Sequence, residues 1–163
     1  MNKAYKIAII GTRKINNTKQ VTKNIVRYLQ DNDISINTVR SGNAEGTDQI
    51  ATVFSKLENI KVVHYLPWES YNKELQLKKD NVSYICEPIT KFDKDIVELF
   101  PHMENQKQGV WSLIRRNYQI ILGKDGNDPV DLVFWHTVNG KLTGGTRYGV
   151  LLARQVDIKD ISV

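Results

Sequence analysis

The chain has 163 residues, 40% apolar and 25% charged, with a formal net charge of +5. That suits one compact domain with a real core, and no apolar run is long enough to span a bilayer. The single cysteine, Cys86, excludes an internal disulfide and fits a reducing compartment.

The opening residues lead straight into an apolar run with no signal-peptide core, so the expected location is the cytoplasm. Tyr5-Lys6-Ile7-Ala8-Ile9-Ile10 reads as a buried parallel strand ending in glycine. Thr18 can cap a following helix with Val21, Ile25, Tyr28 and Leu29 on one face. Residues 36–40 form a second strand, residues 48–57 a second helix and residues 61–65 a third strand, stopped by Pro67. Residues 68–108 lose the clear period and read as an irregular excursion with a short helix near 93–100. A helix over 109–121, a strand over 131–136, a small hairpin at Asn139-Gly140, a helix opened by Gly144-Gly145-Thr146 and a last strand over 160–163 complete the chain. Alternating strands and helices predict one α/β domain over 1–163, a Rossmann-like three-layer α/β/α fold with a mainly parallel sheet.

Three glycine-bearing turns join strands to helices: Gly11-Thr12-Arg13, Ser41-Gly42-Asn43-Ala44-Glu45-Gly46-Thr47-Asp48, and Gly144-Gly145-Thr146-Arg147. Open α/β sheets gather their ligand loops at such strand ends. Helix N-termini there offer unpaired N–H groups and a partial positive charge. The favoured ligand is therefore phosphate-bearing. Ser41, Asn43 and Thr47 offer side-chain hydrogen bonds. Asp48 is either a helix cap or a partner for a ribose hydroxyl. Arg13 can clamp an anion, while Arg147 is divided between pocket and solvent. Arg115 and Arg116 lie about 100° apart on a helix, so one is expected to reach the pocket and the other solvent. Asn117 follows them. Tyr65, Trp68 and Tyr71 either stack a base or pack in the core. No HExxH, CxxC or GxSxG pattern is present, so no metal, cofactor or nucleophilic catalytic residue is expected. The positive charge is spread thinly, and fits a solvated surface or an attraction to nucleic acid.

These motifs, in this order, resemble the SLOG superfamily, which includes the Smf/DprA family (DNA-processing protein A), the Lonely Guy phosphoribohydrolases and YspA-like proteins. Ile7-Ala8-Ile9-Ile10-Gly11-Thr12-Arg13 is similar to the family's opening strand and G-[ST]-R turn. Residues 41–48 resemble the S-G-x-A-x-G-x-D signature of DNA-processing protein A. Arg116-Asn117 matches the R-N pair before the later strand, and Leu142-Thr143-Gly144-Gly145-Thr146 the turn before the last helix. The stretch 116–153 is most similar to stand-alone phage-borne members.

The resemblance implies a domain that binds a nucleotide or nucleotide-derived ligand through Gly11, Thr12, Arg13, Ser41, Gly42, Asn43, Asp48, Arg116, Asn117, Gly144, Gly145 and Thr146. Its alternatives are single-stranded DNA binding, cleavage of a nucleoside 5′-monophosphate, and sequestration of a host nucleotide signal by a phage protein in the host cytoplasm. It also implies a homo-oligomer, with no membrane partner. Lonely Guy enzymes carry a catalytic Glu three residues after the Thr of their glycine turn; here that position is Gly149. The extra domains of full-length DNA-processing protein A are not expected in a chain of this length.

Overall fold

The computed structural model describes residues 3–76 and 81–163. Six strands form one all-parallel sheet: β1 (Tyr5–Gly11), β2 (Ile36–Ser41), β3 (Lys61–Tyr65), β4 (Val82–Ile85), β5 (Leu132–His136) and β6 (Lys159–Ser162). Their order is β4-β3-β2-β1-β5-β6. The α-helices are α1 (Thr18–Asp31), α2 (Ala51–Phe54), α3 (Asp93–Leu99), α4 (Gln108–Leu122) and α5 (Gly144–Gln155).

Period-two alternation divides the apolar strands between two cores. Ile7 and Ile9 of β1, with Leu132 and Phe134 of β5, pack against Val21, Ile25 and Leu29 of α1 and Phe54 of α2. Ala8 and Ile10, with Val133 and Trp135, pack on the other face against Ile96, Ile114, Tyr118 and Val150 from α3, α4 and α5. Three layers result.

Several elements differ from the expectation. Asn17, not Thr18, caps α1, its side chain accepting from Gln20 N–H at 3.0 Å. The helix expected over 48–57 is a 3-10 turn (Gly46–Ile50) followed by the short α2. Thr52 and Ser55 hydroxyls turn back on the carbonyls of Gln49 (2.6 Å) and Thr52 (2.7 Å), and such local bonds compete with a helical ladder. Residues 81–108 hold β4 and α3 together with 3-10 turns at Thr90–Phe92 and Pro101–Asn105. At Asn139-Gly140 the chain does turn, Gly140 N–H donating to Thr137 O at 3.2 Å. No hairpin follows, because the chain enters α5 to cross over to parallel β6.

Candidate functional site

From β1 the chain runs to β2 on one side of the sheet, whereas β5, its other neighbour, leads to β6. The order therefore reverses between β1 and β5, where a crevice opens beyond the carboxyl ends of the strands. Hydrogen bonds stitch the three glycine-bearing turns around it. Thr12 N–H donates to His136 O at 2.9 Å, and Thr47 donates to Thr12 O from its N–H (3.1 Å) and its hydroxyl (3.0 Å). Gly46 permits this approach: its φ is +77°, and a Cβ there would lie 2.3 Å from Arg13 O. Two adjacent residues of α4 complete the frame. Arg116 Nη1 donates to Gly42 O at 2.6 Å, and Asn117 Nδ2 donates to Gly145 O at 3.1 Å.

The open crevice measures about 650 Å³, within the usual range for a small-molecule site. Gly11, Thr12, Arg13, Asp48, Arg116, Asn117, Gly144, Gly145 and Thr146 all line it. Ser41, Gly42 and Asn43 stand behind its wall. Ser41 Oγ donates to Ile9 O at 2.6 Å, and Asn43 is buried with its N–H on His64 Nδ1 at 3.1 Å. A Cβ at Gly42 would lie 2.4 Å from Arg116 Nη1, so the glycine makes room for the arginine.

One wall is apolar, built from Val110, Leu113 and Ile114 of α4 with Val138 and Tyr71. Val110, Leu113 and Ile114 recur on one face of α4, a period that does not distinguish a core from a hollow. Arg13 and Lys14 form an exposed cationic rim. Arg147 is exposed and does not line the cavity. The start of α5 faces the hollow with Thr143 at the cap position and no side-chain cap bond, which leaves first-turn N–H groups for a ligand.

Arg116 is only 6% exposed. Its guanidinium lies over the Tyr71 ring, 5.4 Å from the centroid, and its Nε has no protein partner. It forms no salt bridge among the described residues. The Tyr71 hydroxyl and Thr137 Oγ1, also in lining residues, are likewise buried without partners. Buried polar groups are rarely left in this state.

Asp48 accepts from Gly42 N–H and Ala44 N–H, each at 3.2 Å. It thus braces the second turn. Burial pushes its carboxyl up to about 6, against the opposing pull of Arg116 and of the backbone N–H groups of Ala44, Gly42 and Gly11. Burial and the same arginine hold His64 down at about 4, so its imidazole is neutral at pH 7.

Arg115 does not reach solvent. It is 8% exposed and makes a two-pronged ion pair with Asp93, both bonds 2.7 Å, while lying over Trp111. Tyr65 belongs to the core, Tyr71 lines the cavity and Trp68 is exposed. Among the described residues no helix is long and apolar enough to cross a membrane, and no three His, Cys, Asp or Glu side chains gather as metal ligands would.

Residues 1–121 match the sequence profile of the family described as DNA recombination-mediator protein A. The chain belongs to that family. The match ends within α4; β5 and α5, with the third glycine turn, lie beyond it. The fold is similar along nearly the whole chain to the X-ray structure of DNA processing protein A (DprA) from Streptococcus pneumoniae. There the TM-score is 0.55 at 15% identity, covering 98% of this chain and 50% of that one. It is also similar to DNA processing protein A from Helicobacter pylori, whose structure describes a single-stranded DNA binding mode. There the TM-score is 0.54 at 20% identity, covering 97% of this chain and 64% of that one. The chain thus spans half of the first relative and under two thirds of the second. No curated protein matches it.

Proposed function

We propose that the cavity binds a nucleotide or a nucleotide-derived, phosphorylated ligand. The phosphate sits at the start of α5 beside Arg116, and the base lies against Val110, Leu113 and Tyr71. The observation that carries this reading is Arg116, a buried cation beside a cavity that makes no salt bridge among the described residues and keeps an unpaired Nε, although the Asp48 carboxyl lies near it. A phosphate supplies the acceptor that the Nε lacks, in a charge-assisted hydrogen bond. Gly144 supports the reading, because a Cβ there would meet nothing within 4 Å, so a ligand can approach the backbone.

Binding is favoured over cleavage. A Cβ added at position 149 would lie 2.7 Å from Ile10 Cδ1, so a side chain there requires Ile10 to shift. The carboxylate that Lonely Guy enzymes use has no counterpart there. Asp48, the carboxylate that does line the cavity, is committed to bracing the second turn.

A second reading, single-stranded DNA as the ligand, is favoured by membership of the recombination-mediator family and by the net charge of +5. The relative from Helicobacter pylori, which binds single-stranded DNA, supports it. The same cavity would then hold one nucleotide of a strand.

Titration calorimetry with nucleoside 5′-monophosphates, ADP-ribose, cyclic dinucleotides and an oligothymidylate tests both readings. Saturable binding that falls roughly tenfold or more in Arg116→Ala is the expected result, from the loss of charged hydrogen bonds. Steep weakening with salt, confined to the oligonucleotide, selects the DNA reading. Failure of every ligand, or identical binding by Arg116→Ala, overturns the assignment of the cavity.

A further inference from the structure

Trp68 is the aromatic residue for which neither core nor cavity accounts. It follows β3 at the carboxyl edge of the sheet and is 42% exposed. The other two tryptophans are held: Trp135 is buried with its Nε1 on Asp160 at 2.8 Å, and Trp111 lies under Arg115. Trp68 instead meets Tyr71 edge to face, with ring centroids 5.2 Å apart and planes at 90°. Tyr71 is nearly buried, lines the cavity and carries the Arg116 guanidinium. Arg116, Tyr71 and Trp68 therefore form a continuous run from the cavity to the surface.

We infer that Trp68 is a stacking platform for a second nucleobase, so that the ligand continues out of the cavity past Tyr71 as a dinucleotide or single strand. This rests on the proposal that a nucleotide phosphate occupies the cavity. Trp68 does not itself line that cavity, so a mononucleotide seated there leaves the indole untouched. A ligand with a further base reaches it. An exposed indole is suited to this role because every base presents a π-face. Its edge-to-face contact with Tyr71 also restricts the ring before binding.

The test is intrinsic fluorescence and calorimetry with thymidine 5′-monophosphate, the dinucleotide pTpT and a ten-residue oligothymidylate. These probes are applied to the intact chain and to Trp68→Ala, Trp68→Phe and Arg116→Ala. The expected result is quenching by pTpT and the decamer but not by the monophosphate, with the quench absent in Trp68→Phe. Trp68→Ala should weaken pTpT and decamer binding roughly tenfold and leave the monophosphate unchanged, and Trp68→Phe should recover part of the loss. A decamer quench without a pTpT quench keeps the platform and assigns it to a strand; equal quenching by both admits the dinucleotide. If Arg116→Ala weakens all three probes while Trp68→Ala weakens none, the platform is overturned and the cavity assignment survives. If Arg116→Ala weakens none, the cavity assignment fails first. A tryptophan signal that follows protein concentration without nucleotide assigns Trp68 to contact between copies and overturns the inference.

Discussion

Arg116 reaches from α4 to the carbonyl of Gly42, 2.6 Å away, through a space that any side chain at position 42 would occupy. The pairing couples the second glycine turn to the cavity although Gly42 does not line it. Gly42→Ala is therefore expected to push the guanidinium out of place. The overpacking should cost about 1–3 kcal/mol and lower nucleotide affinity at the same time. Thermal unfolding and calorimetry on one preparation check both effects. A variant with unchanged Tm and affinity would show that the arginine is not held by this contact.

Asp48 and His64 give folding two opposed pH dependences. Between pH 4 and 6 folded Asp48 keeps a proton that the unfolded chain releases, so its contribution is fully present below about 4 and is lost as pH rises through 6. Between pH 6.5 and 4 unfolded His64 takes up a proton that the folded imidazole refuses, so its contribution is present above 6.5 and is lost as pH falls through 4. Each amounts to about 3 kcal/mol at the one-unit conversion, and the two have opposite signs. Relative to the parent chain, Asp48→Asn should gain stability with rising pH over 4–6, and His64→Asn should lose it. Urea unfolding at half-unit pH steps reads both slopes; two parallel difference curves would contradict the assignment.

Gly149 packs directly on Ile10. Gly149→Glu should displace Ile10 and lower stability by about 1–3 kcal/mol through overpacking, without releasing free base from nucleoside monophosphates. Chromatography for base and a thermal melt check the two halves. Base released by this variant would show that only the missing carboxylate separates the chain from the phosphoribohydrolases.

Arg115 and Asp93 tie α4 to α3 through two charged bonds. Asp93→Ala should leave a buried guanidinium unpaired and cost about 1–3 kcal/mol. A double-mutant cycle with Arg115→Ala should return positive coupling, whereas additive losses would show that the pair stabilises nothing.

What the sequence made legible was the sheet, wherever a strand is buried on both faces. β1 and β5 hold continuous apolar runs, residues 7–10 and 132–135, and β3 holds Val62 and Val63 shortly before the stop at Pro67. β4 was not legible, because Val82–Ile85 is short and half-buried and lies inside the long stretch 68–108 that shows no clear period; β6, as short and also at an edge, stands alone after a helix and was read. The adjacent arginines were misjudged for a related reason. A 100° separation sends one residue to solvent only when a helix has a solvent face, and residues 114–121 of α4 are all buried. The glycine turns could be read as ligand loops from their place after strands, and the structure does bring all three to one hollow. The supporting roles of Ser41, Gly42 and Asn43 depend on partners far along the chain, Arg116 and His64 among them. No local pattern encodes those.

The central claim is that the hollow between β1, β5 and the start of α5 receives a phosphate beside Arg116. A crystal structure of the chain with a nucleoside 5′-monophosphate tests it directly. The predicted result is phosphate density within hydrogen-bond reach of the first N–H groups of α5 and of Arg116, with the base against Val110 and Leu113. A nucleotide bound elsewhere, or the hollow closed by the chain's own side chains, would contradict it.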